Sequence, residues 1–418
     1  MSGRLKRQKL NDSAEIIDET VDSLQPASKA EKASWNGFCE LDSDPAFFNV
    51  MLREFGVTGV KVQEVFSVED DALPNLNRPV YGVIFLFRWH EDDPEKQEAS
   101  CPEGLWFANQ TTSNACASVA LLNIVNNIEG ADLGDILQSF REFTMPFTPA
   151  LRGDAINNFE FVKRIHNSFA RKMDILKSDL QLKNEAQSKR NRSKKRGREE
   201  PDADAGFHFI AFVPALEKVW KFDGLERQPQ AVGELDPDKD WLRLVMPDIR
   251  RRMQDYESDQ IEFSILSLHR DPLPDLINEL TMNIKRLQAI EEDVTSRVLE
   301  VTDIGSQAIA PLPENTLLGP EESYGVTEKA VNEAVLLAEK DEFSQSSIDE
   351  LAQCRIEMSG EQFRLRMAIR EEQQSQQEDD EKAARRRFDY GPAIRTWLRF
   401  LARKRVIEDL IPMTKQFR

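Results

Sequence analysis

The chain has 418 residues, 40% hydrophobic and 31% charged, with a net charge of −19, which fits a globular core carrying extensions better than one compact unit. No apolar run reaches the length of a membrane helix, so no membrane partner is expected, and the start Met1-Ser2-Gly3-Arg4-Leu5-Lys6-Arg7 lacks the apolar stretch of a secretory signal. Four scattered cysteines give no disulfide framework, and none of the four histidines (His90, His166, His208, His269) shows Cys/His metal spacing, so no metal or other cofactor is expected.

Residues 1–34 are polar, free of aromatic residues and mixed in charge, and read as a disordered tail. Asp44-Pro45 supplies an N-cap followed by proline at the first helical position, and Gly56 suits the closing cap, so 45–55 is a helix. Val80 to Phe87 is nearly all apolar, as in a strand buried on both faces. From Glu40 to Glu98 thirteen acids face five bases, which is either a solvated surface or a face that attracts a basic partner. Residues 109–114 are polar and loop-like. Cys116 follows, then the helical apolar run Ala117, Val119, Ala120, Leu121, Leu122, Ile124, Val125.

Residues 172–205 hold no aromatic residue, and Lys189 to Arg198 places seven basic residues in ten, followed by Glu199, Glu200, Asp202 and Asp204. That composition predicts a flexible loop; the basic run also resembles a nuclear import signal or a nucleic-acid patch. Phe207 to Val213 reads as a strand, Pro214 to Glu217 as a break, and Lys218 to Phe222 as the second strand of a hairpin. Glu262 to Leu268 completes the sheet. Leu273 to Leu299 carries apolar residues at 273, 276, 277, 280, 284, 287 and 290, an amphipathic helix within 271–302. Residues 303–325, rich in Pro and Gly, read as a linker, and 326–372 return to a helical pattern. Gln373 to Lys382 has little intrinsic reason to pack. Ala383 to Arg418 then holds ten bases and three acids. A helix starting near Asp389 or Pro392 would present Ile394, Trp397, Leu398 and Leu401 on one face, for self-docking or for a partner.

Three segments suit catalysis: Gln110 to Ala117, Gly206 to Val213, and Val219 to Gly224. A cysteine nucleophile needs a base, the base needs a group that fixes its tautomer, and the oxyanion needs a donor. Cys116, His208, Asp223 and Gln110 can fill these roles. At a helix N-terminus, unpaired amides and the macrodipole favour a thiolate at Cys116. The hairpin brings His208, at the start of one strand, to Asp223, at the end of the other. The bland alternatives are a cysteine packed as a small hydrophobe and a buried histidine satisfied by a carbonyl.

These segments resemble the ubiquitin C-terminal hydrolase family of papain-like cysteine peptidases. The resemblance rests on Gln110 six positions before the Cys of Asn114-Ala115-Cys116-Ala117, on Phe207-His208-Phe209, and on Asp223-Gly224-Leu225. Pro79 to Trp89, His166 to Arg171 and, more loosely, Trp35 to Phe48 add to it. It covers about 35–270. It implies an α+β fold, a knotted antiparallel central sheet flanked by helices, with a helical C-terminal extension. It implies Cys116 as nucleophile, His208 as general base, Asp223 as its orienter and Gln110 as oxyanion donor, with ubiquitin and its conjugates as substrates. It makes 172–205 the crossover loop over the active site. The tail resembles that of the long family members, the proteasome-associated and chromatin-associated types, whose extension binds an adaptor protein; Arg386, Arg387, Tyr390, Pro392, Trp397 and Leu398 within 326–418 are the candidate contacts. The implied setting is cytoplasm and nucleus, with no nucleic-acid partner. The other readings are a ubiquitin-binding adaptor without catalysis and another papain-like thiol hydrolase.

Overall fold

The computed structural model describes residues 25–69, 73, 76–88, 92–180, 183, 207–257, 263–300, 311–334 and 347–404. The first 24 residues, the basic run 189–198, the bulk of the loop expected over 172–205, and residues 405–418 lie outside them.

The expected tail already holds a helix, α1 (Lys29–Ser34), with the Ser28 hydroxyl accepting from Glu31 N. Its support is tertiary: Glu31 pairs with Lys172, and Lys32 Nζ donates to Ser168 O at 3.2 Å. Composition alone cannot reveal such partners. Helix α2 (Pro45–Phe55) runs as expected, with the Asp44 carboxylate accepting from Ala46 N at 2.9 Å and Gly56 closing it at φ 88°.

Six strands form one antiparallel sheet: β1 (Val60–Glu64), β2 (Val80–Arg88), β3 (Phe207–Ala215), β4 (Lys218–Phe222), β5 (Gln230–Glu234) and β6 (Ser264–Arg270), in the order β1-β6-β2-β3-β4-β5. The expected hairpin is β3–β4, but its turn falls later than predicted. Pro214 and Ala215 stay in the strand opposite Val219 and Lys218, and the turn residues are Leu216 and Glu217, both at positive φ (49° and 59°). Pairing of β3 with β2 ends at Phe212, so the missing N–H of Pro214 costs no ladder bond on that side.

The apolar run in β2 is buried on both faces, as the sequence implied. Ile84 shares one core with Phe209, Ala211 and Val213 of β3, with α2, and with helix α3 (Cys116–Val125). Val83, Phe85 and Phe87 share the other with Ile210 and Phe212. Because successive side chains of a strand alternate faces, one strand pair feeds both cores. Helices α4 (Gly134–Thr144), α5 (Pro149–Asn157) and α6 (Glu160–Asn167) follow α3. Residues 172–180 form a further helix, α7, where a loop was expected. Helix α8 (Leu242–Glu257) covers the second core through Leu242, Val245, Met246 and Ile249.

The chain divides into two compact units, Met1–Arg270 with Asp379–Arg418, and Asp271–Glu378. In the second, helix α9 (Pro272–Glu300) realises the predicted amphipathic pattern. Its Leu280 and Ile284 pack with Tyr324, Val326, Val331, Leu365 and Ile369. Tyr324 lies in the stretch expected to be a linker, and its burial makes the end of that stretch part of the core. Short helix α10 (Glu328–Glu333) follows, and the 40-residue helix α11 (Ile348–Arg387) runs straight through Gln373–Lys382. The Gln, Glu and Lys residues of this stretch are good helix formers, and pairs such as Gln374–Glu378 and Glu381–Arg385 join successive turns. Helix α12 (Gly391–Arg403) ends the described chain.

Candidate active site

Cys116 is the first residue of α3. Ala115 caps the helix backbone without a side-chain hydrogen bond, so the first-turn amides are not taken up by a cap. The preceding Asn114 has φ 62°, one of few non-glycine residues in the left-handed region, and its Nδ2 donates to Ser178 Oγ at 3.3 Å. Helix α3 lies close on the sheet: a Cβ on Gly82 of β2 would stand 2.6 Å from Ile124 Cγ2.

The β3–β4 hairpin delivers the other two groups. His208 Nε2 and Asp223 Oδ1 are 2.7 Å apart, and both side chains are buried. The Asp223 turn is closed by Leu225 N donating to the same Oδ1 at 2.9 Å and Glu226 N donating to Asp223 O at 3.1 Å. Burial by itself would discharge His208. Hydrogen bonding to the Asp223 carboxylate and the charge beside it, together with the interaction with Cys116, outweigh burial and hold its pKa at about 9. Burial likewise pushes Asp223 up, but the bond and charge of His208, with the Leu225 amide and Lys221, together outweigh it and leave the carboxyl below its usual range. Asp223 occupies Nε2, so Nδ1 is the nitrogen left for Cys116.

Gln110 arrives on a segment that belongs to no strand, yet much of its backbone is paired. Asn127 bonds both N and O of Trp106 (2.9 and 2.7 Å), and Asn123 bonds both N and O of Ala108 (2.8 and 3.2 Å). On the odd residues, Arg152 Nη1 donates to Leu105 O at 3.0 Å and Phe107 O at 3.1 Å. Asn109 N donates to Pro149 O at 3.0 Å and Gln110 N to Gly224 O at 2.8 Å. A buried segment needs such pairing, and here side chains of α3, of Asn127 just beyond it and of α5 supply much of it. Gln110 Oε1 is buried with no partner among the described residues. The sequence reading missed Asn123, Asn127 and Arg152. The available signal was a pair of asparagines four apart at the end of an otherwise apolar helix.

A second group of charges lies next to the Asp223 turn. Buried Lys221 bonds Glu226 Oε1 at 2.9 Å and pairs with Asp92, which also takes Arg252; Arg252 Nε reaches Asp248 Oδ2 at 3.1 Å. Burial raises Asp92, but Lys221 and Arg252 overcome it and bring its pKa to about 2.

The molecule holds another Cys–His neighbour pair. His166 Nε2 donates to Cys39 O at 2.8 Å, and Ser118 Oγ donates to His166 Nδ1 at 2.7 Å. Cys39 and His166 are both 0% exposed. Burial pushes the Cys39 thiol up to about 12 and the His166 imidazole down to about 4. A neutral thiol beside a neutral imidazole whose two nitrogens are already engaged is a packing contact and cannot take up a proton from a nucleophile.

The six tail residues separate into two kinds. Arg386 is engaged by the chain itself, Nη1 with Asp174 Oδ2 at 2.9 Å and Nε with Asp42 Oδ2 at 3.4 Å. Arg387 Nη2 is 2.8 Å from both oxygens of Glu54, and its guanidinium lies over the Phe169 ring. These two dock the extension rather than present it. Tyr390, Trp397 and Leu398 are exposed, with Pro392 half-buried in the first turn of α12.

A cysteine at a helix N-terminus, a buried histidine that interacts with it, a buried carboxylate bonded to the histidine and a glutamine segment alongside define a thiol hydrolase site. The family model described as ubiquitin carboxyl-terminal hydrolase, family 1, matches residues 38–254, more than half of the chain and a span that contains these four positions. The chain belongs to that family. It is 36% identical over 240 residues to ubiquitin carboxyl-terminal hydrolase ubh-4 of Caenorhabditis elegans, covering 57% of this chain and 67% of the relative. With ubiquitin carboxyl-terminal hydrolase isozyme L5 of Dictyostelium discoideum it shares 35% over 232 residues, 56% of this chain and 62% of that one. With ubiquitin carboxyl-terminal hydrolase BAP1 of Xenopus tropicalis it shares 30% over 251 residues, 56% and 34%. Among solved structures, UCH37 of Trichinella spiralis bound to ubiquitin vinyl methyl ester is 28% identical, with a TM-score of 0.46 over 59% of this chain and 87% of that one.

Proposed function

We propose that the protein is a cysteine-type deubiquitinase that hydrolyses the bond at the C-terminal glycine of ubiquitin, with Cys116 as nucleophile. The observation that carries the reading is the buried His208–Asp223 pair, bonded at 2.7 Å, with Cys116 at a helix N-terminus interacting with His208, all within the span that matches the family. His208, with its raised pKa, takes the Cys116 proton and the pair rests as thiolate and imidazolium. The thiolate attacks the glycine carbonyl. The Cys116 amide and the Gln110 side chain receive the oxyanion, each such donor contributing about 2.7–4 kcal/mol. His208 returns its proton to the leaving amine and then activates water against the thioester, while Asp223 keeps the imidazole oriented.

The test is reaction of the full chain with ubiquitin carrying a C-terminal electrophile, read by mass spectrometry. A ubiquitin-sized adduct on Cys116, absent in Cys116→Ala, supports the reading. No adduct, with ubiquitin binding retained, would favour a binding protein without turnover.

A further element of the reading is an adaptor protein docked on α12. The exposed Ile394, Trp397, Leu398 and Phe400 favour a partner over self-docking. Tyr390 precedes this face and Pro392 begins its helix. Ubiquitin-dependent degradation or chromatin deubiquitination in cytoplasm and nucleus is the setting this reading implies.

A further inference from the structure

We propose that Asn109 is a positioning residue for the oxyanion site, tying the Gln110 segment to the Asp223 turn; this rests on the roles proposed above for Cys116, His208, Asp223 and Gln110. The two halves of that site come from different parts of the fold. Gln110 ends the segment held by α3 and α5, and Asp223 ends β4. Asn109 joins them. Its Nδ2 donates to Glu226 O at 2.6 Å and to Gly224 O at 3.4 Å. Gly224 O also accepts Gln110 N at 2.8 Å, so two consecutive residues of one segment hang on the same turn.

Space at the junction is as restricted as the bonding. A Cβ on Gly153 of α5 would lie 2.2 Å from Asn109 O, and a Cβ on Gly224 would lie 3.0 Å from Gln110 Cβ. Neither neighbour can give way without moving backbone. The Gln110 amide is carried on a Cα whose place is set by these contacts, and its acceptor oxygen has no partner of its own among the described residues.

Asp223 has a separate anchorage. The adjoining Phe222 pairs with Ala211 across the hairpin, and the carboxylate takes Leu225 N at 2.9 Å. Losing the Asn109 amide therefore displaces the Gln110 side and leaves the His208–Asp223 pair standing. That asymmetry gives the role a signature. Attack on a carbonyl needs the oxyanion donors. Alkylation of the same thiolate by iodoacetamide forms a C–S bond and expels iodide with no oxyanion, so it needs only Cys116 and His208.

The experiment uses the full chain and a fluorogenic C-terminal amide of ubiquitin. Wild type must turn over and Cys116→Ala must not; a failure here strikes the underlying reading and not the role of Asn109. Asn109→Ala is expected to lower kcat on the order of ten- to a hundredfold, the scale of a misplaced catalytic group, with KM within about twofold. Iodoacetamide alkylation of Cys116 should keep its wild-type rate and pH midpoint. Combined with Gln110→Ala, the Asn109 change should add nothing further, because both act through one donor. Asn109→Asp, equal in size but unable to donate, is measured beside it and decides if the alanine variant does not fold. An unchanged kcat, a proportional fall in alkylation, a rise in KM alone, or additivity with Gln110→Ala would each overturn the proposal.

Discussion

Two Cys–His pairs within one chain make burial the deciding quantity at the residue scale. Cys39 and His166 are wholly buried and held neutral, whereas Cys116 is half-buried beside a charged His208. Iodoacetamide at neutral pH is therefore expected to label Cys116 and leave Cys39 untouched in the native protein, as peptide mapping would reveal. His208 also has a pH signature. Its folded pKa of about 9 lies above its ordinary 6.5. The stability it contributes is thus complete below pH 6.5 and is lost as pH rises through about 9. Urea midpoints measured from pH 6 to 9.5 should decline for wild type and stay flatter for His208→Gln; equal slopes would contradict the pairing. Asp223→Asn should fold and yet lower turnover on the order of 10²–10⁴, the contribution of a correctly held base. Cys116, His208, Asp223 and Gln110 could be picked out as candidates because each sits in a short motif. The supports behind them could not, since Arg152 and Asn123 act on backbone brought close only by the fold.

Elements were legible where their ends carry local chemistry. Asp44, Pro45 and Gly56 delimit α2 without help from the rest of the chain. They were illegible where partners come from afar. Helix α7 is the clearest case, because its start is organised by the extension. Asp389 Oδ2 accepts from Lys172 N at 3.1 Å, and Asp389 Oδ1 accepts from Gly391 N at 2.8 Å. One aspartate thereby caps α7 in trans and also secures the start of α12, while Arg386 bonds Asp174 inside α7. Charge in 172–180 looked like loop composition, but its complement lies about 210 residues on. Asp389→Ala removes both bonds and should cost about 1 kcal/mol for each. Amide exchange is expected to speed up in 172–180 and 391–403 while β3 and β4 keep their protection. Unchanged exchange in 172–180 would mean that the cap does not hold the helix.

Across the whole molecule the acidic excess of residues 40–98 acquires a partner from within. Asp42 meets Arg386 at 3.4 Å, Asp44 meets Lys382 at 3.4 Å, and Glu54 meets Arg387 at 2.8 Å. Three of the thirteen acids that seemed available to steer a basic substrate are occupied by Lys382 and the basic tail that follows it. Exposed pairs of this kind are worth about 0–1 kcal/mol each, so they do little to hold the fold, but they reduce the field an incoming protein meets. Any steering of ubiquitin must come from the acids that remain. Its rate signature is specific: association should slow as salt screens charges beyond about 8–10 Å, while dissociation changes little. Replacing Lys382 and Arg387 together by Gln frees Asp44 and Glu54 and leaves Arg386 in place. Stopped-flow association of ubiquitin with that double variant should be faster at low salt and should fall more steeply with added salt than in wild type. If both proteins show the same flat dependence, the acids are a solvated surface that does not steer ubiquitin.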